Sequence, residues 1–166
     1  YAAGLVGRVE GTVEILQTLQ NYGKVNGVDY VAGGIAYAEN TVAISSIING
    51  TTDTAKTITA SGSEGYVAGG IARGNESLTT LTMLNNMNVT ANSAEHFVAG
   101  LVGSINDNDT LADAVNVTQV STAGEAIYEN NGDVETSANY AGGVFGNIVG
   151  NVKHNLGGYT STYKNT

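Results

Sequence analysis

The amino-acid sequence predicts an all-β fold, a right-handed parallel β-solenoid of about five irregular coils, and three observations lead to this prediction. A phrase that opens on an aromatic residue and has glycine near its centre recurs five times. β-Favouring segments follow the phrases at a nearly constant distance. Turns rich in Asn, Gly, Asp and Ser separate the segments. Recurrence of one short unit is typical of stacked repeats rather than of a single globular core.

The glycine phrase is the first element of each predicted coil. Its five copies open on aromatic residues, at Tyr1, Tyr30, Tyr66, Phe97 and Tyr140. Intervals of 29, 36, 31 and 42 residues separate the glycines that serve as reference positions, Gly4, Gly33, Gly69, Gly100 and Gly142. A residue without a Cβ atom permits a sharp corner or a close approach of the next coil. We therefore expect these glycines to lie above one another along a common axis.

A strand with one buried face is the second element. An apolar residue begins this strand in each repeat: Val13, Val42, Leu78, Leu111 and Val152. The first three lie nine residues after their reference glycines, and the last two lie eleven and ten residues after theirs. Apolar and polar residues tend to alternate after these positions, as in a half-buried strand. Residues 14–20 also place apolar residues on one helical face, but we expect a strand there.

A short third segment completes each coil and includes Val25, Ile58, Val89 and Val134. Each coil is thus expected to have two or three short strands, with Val, Ile and Leu inward and Thr, Asn and Ser outward. Parallel strands of successive coils would lie about 4.8 Å apart and satisfy each other's backbone groups. The two ends of the stack would stay open as surfaces for assembly.

The repeats span residues 1–152, and residues 153–166 form a predicted C-terminal tail or partial coil. We expect one domain. The sequence opens on Tyr1 inside a copy of the phrase, without the polar cap that terminal repeats usually carry. We therefore expect a piece of a longer chain, or a first unit that a neighbouring molecule completes.

Charge and composition exclude several classes of partner. Six basic against fifteen acidic residues give a formal charge of −9, which repels phosphate backbones, so we expect no binding to nucleic acid. No run of eighteen apolar residues occurs, so the sequence predicts no membrane span. Cysteine is absent, which excludes disulfides and thiolate chemistry.

The glycine phrase resembles the GLUG motif, and its core tetrad is matched best by Gly4-Leu5-Val6-Gly7 and Gly100-Leu101-Val102-Gly103. Two copies end in alanine instead, at Ala36 and Ala72. The motif is found in large secreted bacterial proteins, both filamentous-haemagglutinin-like adhesins and the N-terminal region of immunoglobulin A protease-type zinc metallopeptidases. The resemblance covers the repeats at 1–152. It implies a β-solenoid on a bacterial exterior and brings no catalytic residues.

A predicted loop is a candidate calcium site. Asp107 and Asp109, beside Asn106 and Asn108, concentrate the oxygen ligands that calcium prefers. The alternative is a solvated Asx-rich turn, because the glycine and the distal glutamate of an EF-hand loop are missing. We expect no other cofactor.

Three further groups of residues have an alternative structural interpretation. The first group is four carboxylates, Glu125, Glu129, Asp133 and Glu135. They could supply the acid and base of a glycosidase, but a solvated acidic strand is the favoured interpretation. The aromatic residues that open the phrases would form a ladder, which could stack on sugars but more often packs against the adjacent coil. His96 and His154 lack a partner carboxylate at a metal-ligand spacing, so we expect surface or satisfied positions and assign no role.

We expect a structural or adhesive segment of a secreted or cell-surface bacterial protein, either an adhesin or an extracellular filament, without catalysis. Its expected partners are copies or repeats stacked end to end, and a host protein or glycan. The alternative is a noncatalytic substrate-positioning region of a large secreted hydrolase that acts on protein or polysaccharide.

Overall fold

The computed structural model describes residues 1–51, 56–75, 78–93, 95–106, 116–118, 125–149, 153–155 and 160–166. All helical or strand structure within these residues is β-strand, as the sequence predicts. The 21 strands of this part of the chain are β1 (Ala2–Ala3), β2 (Val6–Val9), β3 (Val13–Asn21), β4 (Val25–Gly27), β5 (Tyr30–Ala32), β6 (Ile35–Ala38), β7 (Val42–Asn49), β8 (Thr57–Ala60), β9 (Glu64–Ala68), β10 (Ile71–Gly74), β11 (Leu78–Asn85), β12 (Asn88–Ala91), β13 (Glu95–Ala99), β14 (Val102–Asn106), β15 (Asn116–Thr118), β16 (Glu125–Asn130), β17 (Val134–Thr136), β18 (Tyr140–Gly142), β19 (Phe145–Val149), β20 (Lys153–Asn155) and β21 (Thr160–Asn165).

The strands form five parallel sheets, and four of them collect equivalent strands from successive repeats. Repeats 1 to 5 begin with β1, β5, β9, β13 and β18. The larger sheets are sheet A (β1-β5-β9-β13-β18), sheet B (β2-β6-β10-β14-β19), sheet C (β3-β7-β11-β16-β21) and sheet D (β4-β8-β12-β17), while β15 and β20 pair separately. The chain passes through sheets A, B, C and D and then returns to A. Repeats 1 to 3 have four strands rather than two or three, because the glycine corner divides each phrase between sheets A and B.

Strand pairing aligns the five phrases and shifts one reference position. Ala99 pairs with Gly142, so the residue that corresponds to Gly100 is Gly143. Gly143, rather than the Gly142 that the sequence suggests, therefore occupies the fifth reference position. Two adjacent glycines stand at this corner, and the pairing of Phe97 with Tyr140 aligns the second of them with Gly100.

Two apolar clusters fill the interior. The first is formed by residues of sheets B and C, including Ile35, Ile44 and Ile71, and the second by residues of sheets A and D, including Val31 and Ile58. Burying one such side chain contributes about 1.5–3 kcal/mol. The expected inward positions of Val and Ile are therefore observed across the inner repeats.

An asparagine stands at the end of each strand of sheet C, and these five residues pair in register as Asn21, Asn49, Asn85, Asn130 and Asn165. We call them the asparagine column. The first four are buried, although the sequence suggested that asparagine faces outward. The Nδ2 atom of Asn85 donates to Asn130 Oδ1 at 2.8 Å, and Asn130 Nδ2 donates to Asn165 Oδ1 at 2.8 Å. Because buried amides need hydrogen-bond partners, these contacts favour the burial of Asn85 and Asn130, whereas the Oδ1 atom of the buried Asn49 has no partner among the described residues.

The asparagine column explains why glycine recurs at the corner. The five corner residues are Gly4, Gly33, Gly69, Gly100 and Gly143. At each of them, a Cβ atom would overlap the side chain of the asparagine in the same repeat. Corners of successive repeats also bond to each other's backbone, since Gly33 N donates to Ala68 O and Gly100 N to Gly142 O, each at 3.1 Å. Close approach within the repeat and between repeats therefore both require glycine.

Strand β3 shows why residues 14–20 also fit a helical face. Its pairing with β7 shifts between Ile15 and Thr18, which leaves one extra residue in β3. The bulge places Ile15 and Leu19, four positions apart, against the same cluster, and four is also a helical spacing. The prediction of a strand is confirmed.

The segment predicted as a tail or partial coil contributes to the sheets. Its strand β21 pairs with β16 from Thr160 to Asn165 and forms the last strand of sheet C. The register of sheet C therefore continues to the end of the sequence.

Candidate binding surface

An aromatic column runs along sheet A and consists of Tyr1, Tyr30, Tyr66, Phe97 and Tyr140. Ring centroids of successive members lie 4.9, 5.0, 5.0 and 4.7 Å apart. Parallel strands lie about 4.7–4.9 Å apart, so in-register pairing by itself sets this spacing. The rings of Tyr66 and Phe97 are inclined by only 12°. Each inner ring therefore packs on its neighbours in the adjacent repeats.

A row of side chains on sheet B flanks the aromatic column. Arg8, Tyr37 and Arg73 pair in register on β2, β6 and β10. The guanidinium carbon of Arg73 lies 4.8 Å from the ring centroid of Tyr66, and its Nη1 donates to the Tyr30 hydroxyl at 3.2 Å. A cation over an exposed ring contributes about 0.5–1 kcal/mol. Arg73 thus contacts two successive members of the aromatic column, Tyr66 in its own repeat and Tyr30 in the repeat before.

The centre of this row is the half-buried Tyr37. Its ring stacks on Tyr1 with centroids 5.5 Å apart and planes inclined by 15°, and Asn75 Nδ2 donates to its hydroxyl at 2.6 Å. Burial raises the pKa of Tyr37, so the hydroxyl stays protonated over the neutral range. Arg8, on the strand before, forms ion pairs of 3.0 Å with Glu39 and 3.2 Å with Glu10. The charge of Arg8 is therefore already compensated.

Three exposed carboxylates lie on the other side of the aromatic column. Glu64 and Glu95 pair directly across β9 and β13, and Asp29 precedes Tyr30 in the adjacent repeat. None of the three forms an ion pair within the described part of the chain. Together with neighbouring aromatic residues they line an open depression, which we call the acidic groove: Asp29, Tyr30, Glu64, Gly65, Tyr66, Glu95 and Phe97.

The floor of the acidic groove depends on one glycine. Gly65 has a φ of 139°, which side chains rarely adopt, and a Cβ atom there would overlap the carbonyl of Asp29. The Tyr66 backbone N–H donates to this same carbonyl at 2.8 Å. Gly65 therefore brings Asp29 into the acidic groove beside the two glutamates.

The candidate calcium ligands Asp107 and Asp109 lie outside the described residues. Among those described, no group of three or more His, Asp or Glu side chains is placed to hold a metal ion.

The four later carboxylates are distributed over different elements. Glu129 of β16 forms an ion pair of 2.6 Å with Lys164, whereas Glu135 lies in β17 of sheet D. Asp133 lies in the turn before β17, where its backbone N–H donates to Asn88 Oδ1 at 3.1 Å. Glu125 begins β16, and its side chain is outside the described set. The described members thus occupy sheet C, sheet D and a turn.

His96 differs from its expected surface or satisfied position. The side chain is fully buried, and neither ring nitrogen has a hydrogen-bond partner among the described residues. Its cross-strand neighbour is Gly65, which has no side chain. A buried polar group without a partner costs about 1–3 kcal/mol. The side chain of His154 lies outside the described set.

The sequence interpretation missed both the acidic groove and the asparagine column. A signal for the first exists, because glutamate stands two residues before the aromatic residue at Glu64 and again at Glu95. A signal for the second is that Asn49 and Asn85 lie sixteen residues after their corner glycines. Both signals appear only when the phrases are aligned on the aromatic residue.

Comparison of the chain with protein-family models, with curated proteins and with solved structures gives no match. The described residues contain no helix of the length and hydropathy needed to cross a membrane. The functional interpretation therefore depends on the sequence and the geometry of the chain itself.

Proposed function

We propose that this chain is a right-handed parallel β-solenoid of about five coils that serves as a structural or adhesive segment of a secreted or cell-surface bacterial protein, without catalysis. One observation carries the proposal: side chains of one type repeat in register through successive repeats. The asparagine column does so inside the stack, and the aromatic column does so on its surface. A stack built in this way presents the same surface at every turn, which suits repeated contacts.

The path of the chain supports the solenoid. Repeats 1 to 3 pass through sheets A, B, C and D in turn, and repeat 4 does the same with β15 between its sheet B and sheet C strands. Neighbours within these sheets are always one repeat apart. The resemblance of the glycine phrase to the GLUG motif supports a location on the bacterial exterior.

Both ends of the stack support end-to-end assembly. Sheets A to D begin with strands of repeat 1 and end with strands of the last two repeats, so each sheet has an edge strand at both ends of the described stack. Among the described residues, the exposed large apolar side chains all belong to repeats 1 and 5, namely Tyr1, Tyr22, Val28, Tyr140, Ile148 and Tyr163. Open strand edges and apolar side chains at the same ends promote association. The first repeat of one copy then stacks on the last repeat of another.

Particle size as a function of concentration tests this assembly. Five coils about 4.8 Å apart extend about 24 Å along the axis, so stacking should lengthen particles in steps of about that size. Small-angle scattering and electron microscopy measure the length. Ile148→Lys places a charge at the end of sheet B and should abolish the growth, whereas Thr59→Lys, on the side of inner strand β8, should leave it intact. A chain that stays monomeric, or that grows equally with Ile148→Lys, contradicts the assembly.

The location has a separate test. Antibodies raised against the chain should label intact cells of the source organism or detect the protein in the culture medium. A signal found only after cell lysis would contradict an extracellular location.

A further inference from the structure

We propose that the acidic groove binds an extended basic peptide segment of a partner protein. The inference rests on the proposed adhesive role and deepens it, because it names the class of partner that the surface takes. Three properties of the groove carry it: uncompensated charge, an aromatic wall, and ring faces that are already occupied.

The charge in the acidic groove is unbalanced. Glu64 and Glu95 lie directly opposite each other on adjacent strands, where like charges are destabilising. The nearby Arg73 is engaged elsewhere: it contacts Tyr66 and Tyr30 on the far side of the aromatic column. A cationic ligand removes the repulsion between the two glutamates. The groove therefore complements positive charge.

The aromatic wall suits the side chains that carry such charge. Lysine and arginine have long apolar stems, which pack along Tyr66 and Phe97 while their charged ends reach the carboxylates. Hydrogen bonds from a cation to a carboxylate are stronger than neutral ones. The groove thus offers a contact for both parts of a basic side chain.

The spacing of the carboxylates fits an extended chain that lies along the stack. Glu64 and Glu95 are on adjacent strands, about 4.8 Å apart, and Asp29 lies in the bend just before β5, the next strand of sheet A. Side chains on one face of an extended peptide recur about every 6.6 Å. Flexible lysine stems span the difference. A peptide with basic residues at every second position therefore reaches neighbouring carboxylates.

The same surface is less complementary to a sugar ligand than to a basic peptide. A sugar ring stacks on the face of an aromatic ring, but Phe97 lies on Tyr66 at 5.0 Å and 12°, and Arg73 lies over the Tyr66 ring at 4.8 Å. Along the groove the rings therefore present their edges. This favours a peptide over a glycan.

Fluorescence anisotropy on the whole chain tests the proposal, at concentrations where scattering shows a monomer. The probes are a labelled peptide of alternating lysine and alanine, the matching peptide of glutamate and alanine, and a labelled linear glucose oligosaccharide. We expect the lysine peptide alone to bind, and the binding to disappear at about 0.5 M salt, because exposed charges are screened.

Two double variants separate the groove from the overall charge. Glu64→Gln with Glu95→Gln should weaken the lysine peptide about threefold to tenfold. Glu14→Gln with Glu135→Gln removes the same charge from exposed positions elsewhere and should leave the affinity unchanged. Equal weakening by both double variants overturns the proposal, because the binding would then follow net charge alone.

The aromatic wall has its own variant, Tyr66→Thr, with thermal melting measured alongside. It should weaken the lysine peptide while the protein stays folded; unchanged affinity overturns the role of the wall. Binding of the oligosaccharide in place of the lysine peptide would assign the surface to glycans and overturn the proposal. Failure of peptide binding leaves the stacking measured by scattering untouched, and a failure to stack leaves the anisotropy result untouched, so the two proposals fail separately.

Discussion

The inner and outer repeats share one phrase but differ in how much of it is buried. Residues 31–36 of repeat 2 are all buried, whereas the matching residues 2–7 of repeat 1 are half-buried or exposed. The phrases are similar in sequence, so the difference comes from the neighbours: an inner repeat is covered on both sides. Stability of such a stack is therefore the sum of interfaces between repeats rather than a property of each repeat.

The largest expected difference between inner and outer repeats lies in the asparagine column. Asn85 is fully buried and bonds to Asn130, to the Met87 carbonyl at 2.7 Å and to the Met87 N–H at 3.2 Å. Asn85→Ala should lower the free energy of unfolding by about 3 kcal/mol, because these buried groups lose their partners. Asn21→Ala at the end of the column should cost about 1 kcal/mol, since its partner Gly23 is exposed to water. Urea unfolding measures both; equal losses would contradict the comparison.

The second comparison uses the last glycine of the two Gly-Leu-Val-Gly tetrads. A Cβ atom at Gly103, in inner repeat 4, would lie 2.6 Å from the Ala72 carbonyl oxygen, whereas a Cβ atom at Gly7 meets no atom within 4 Å. Gly103→Ala should therefore destabilise the fold by about 1–3 kcal/mol. Gly7→Ala should stabilise it by about 0.4–1 kcal/mol, because it restricts the unfolded chain. Thermal unfolding with both variants decides the matter, and a stable Gly103→Ala protein would show that the interface yields.

The smallest effect should appear at a tyrosine pair. Tyr128 is 3% exposed and its hydroxyl donates to Thr80 O at 2.6 Å, whereas its stacked partner Tyr163 is 43% exposed. Burial raises the pKa of Tyr128 above its unfolded value of about 10, with a smaller effect from Tyr163. The folded state thus holds this proton more tightly, so its contribution is complete below about pH 10 and is lost as the pH rises beyond it.

Tyr128→Phe should cost about 1 kcal/mol at neutral pH, through the lost hydrogen bond, and should flatten the alkaline loss of stability. Tyr163→Phe should leave the alkaline loss in place. Unfolding curves measured from neutral pH to about pH 11 compare the two variants. The same alkaline slope in both would show that the buried tyrosine does not control it.

The sequence predicted the sheet C strands of the first three repeats and four of the five corner glycines, because both depend on local chemistry. The predicted strand starts Leu111 and Val152 lie outside the described residues, and the sheet C strand of repeat 4 begins at Glu125. Val and Ile at alternating positions predict a strand, and glycine predicts a corner, from a stretch of only a few residues. The asparagine column could not be found in this way. Asn49 and Asn85 resemble turn residues when taken alone, and their burial depends on partners a whole repeat away.

The acidic groove and the fifth corner were missed for a related reason. Asp29 lies in the same depression as Glu64 because Gly65 has a positive φ, and no pattern of residues in the sequence predicts this backbone conformation. Gly142 and Gly143 are equivalent by composition, and only the pairing with Ala99 distinguishes them. Contacts between neighbouring repeats, which join residues far apart in the sequence, therefore decide features that short motifs do not determine.

The last three members of the asparagine column form a series of side-chain amide bonds that has a polarity, whereas the Oδ1 atom of Asn49 has no hydrogen-bond partner among the described residues. Each bond between side-chain amides runs from an Nδ2 atom in one repeat to an Oδ1 atom in the next, from Asn85 to Asn130 and from Asn130 to Asn165. Bonds aligned in this way polarise one another, so the two ends of the column differ chemically. A copy joined head to tail meets the donor end of this series with Asn21, while a reversed copy places donor against donor. A head-to-tail polymer of this chain would thus have a direction, with two chemically different ends.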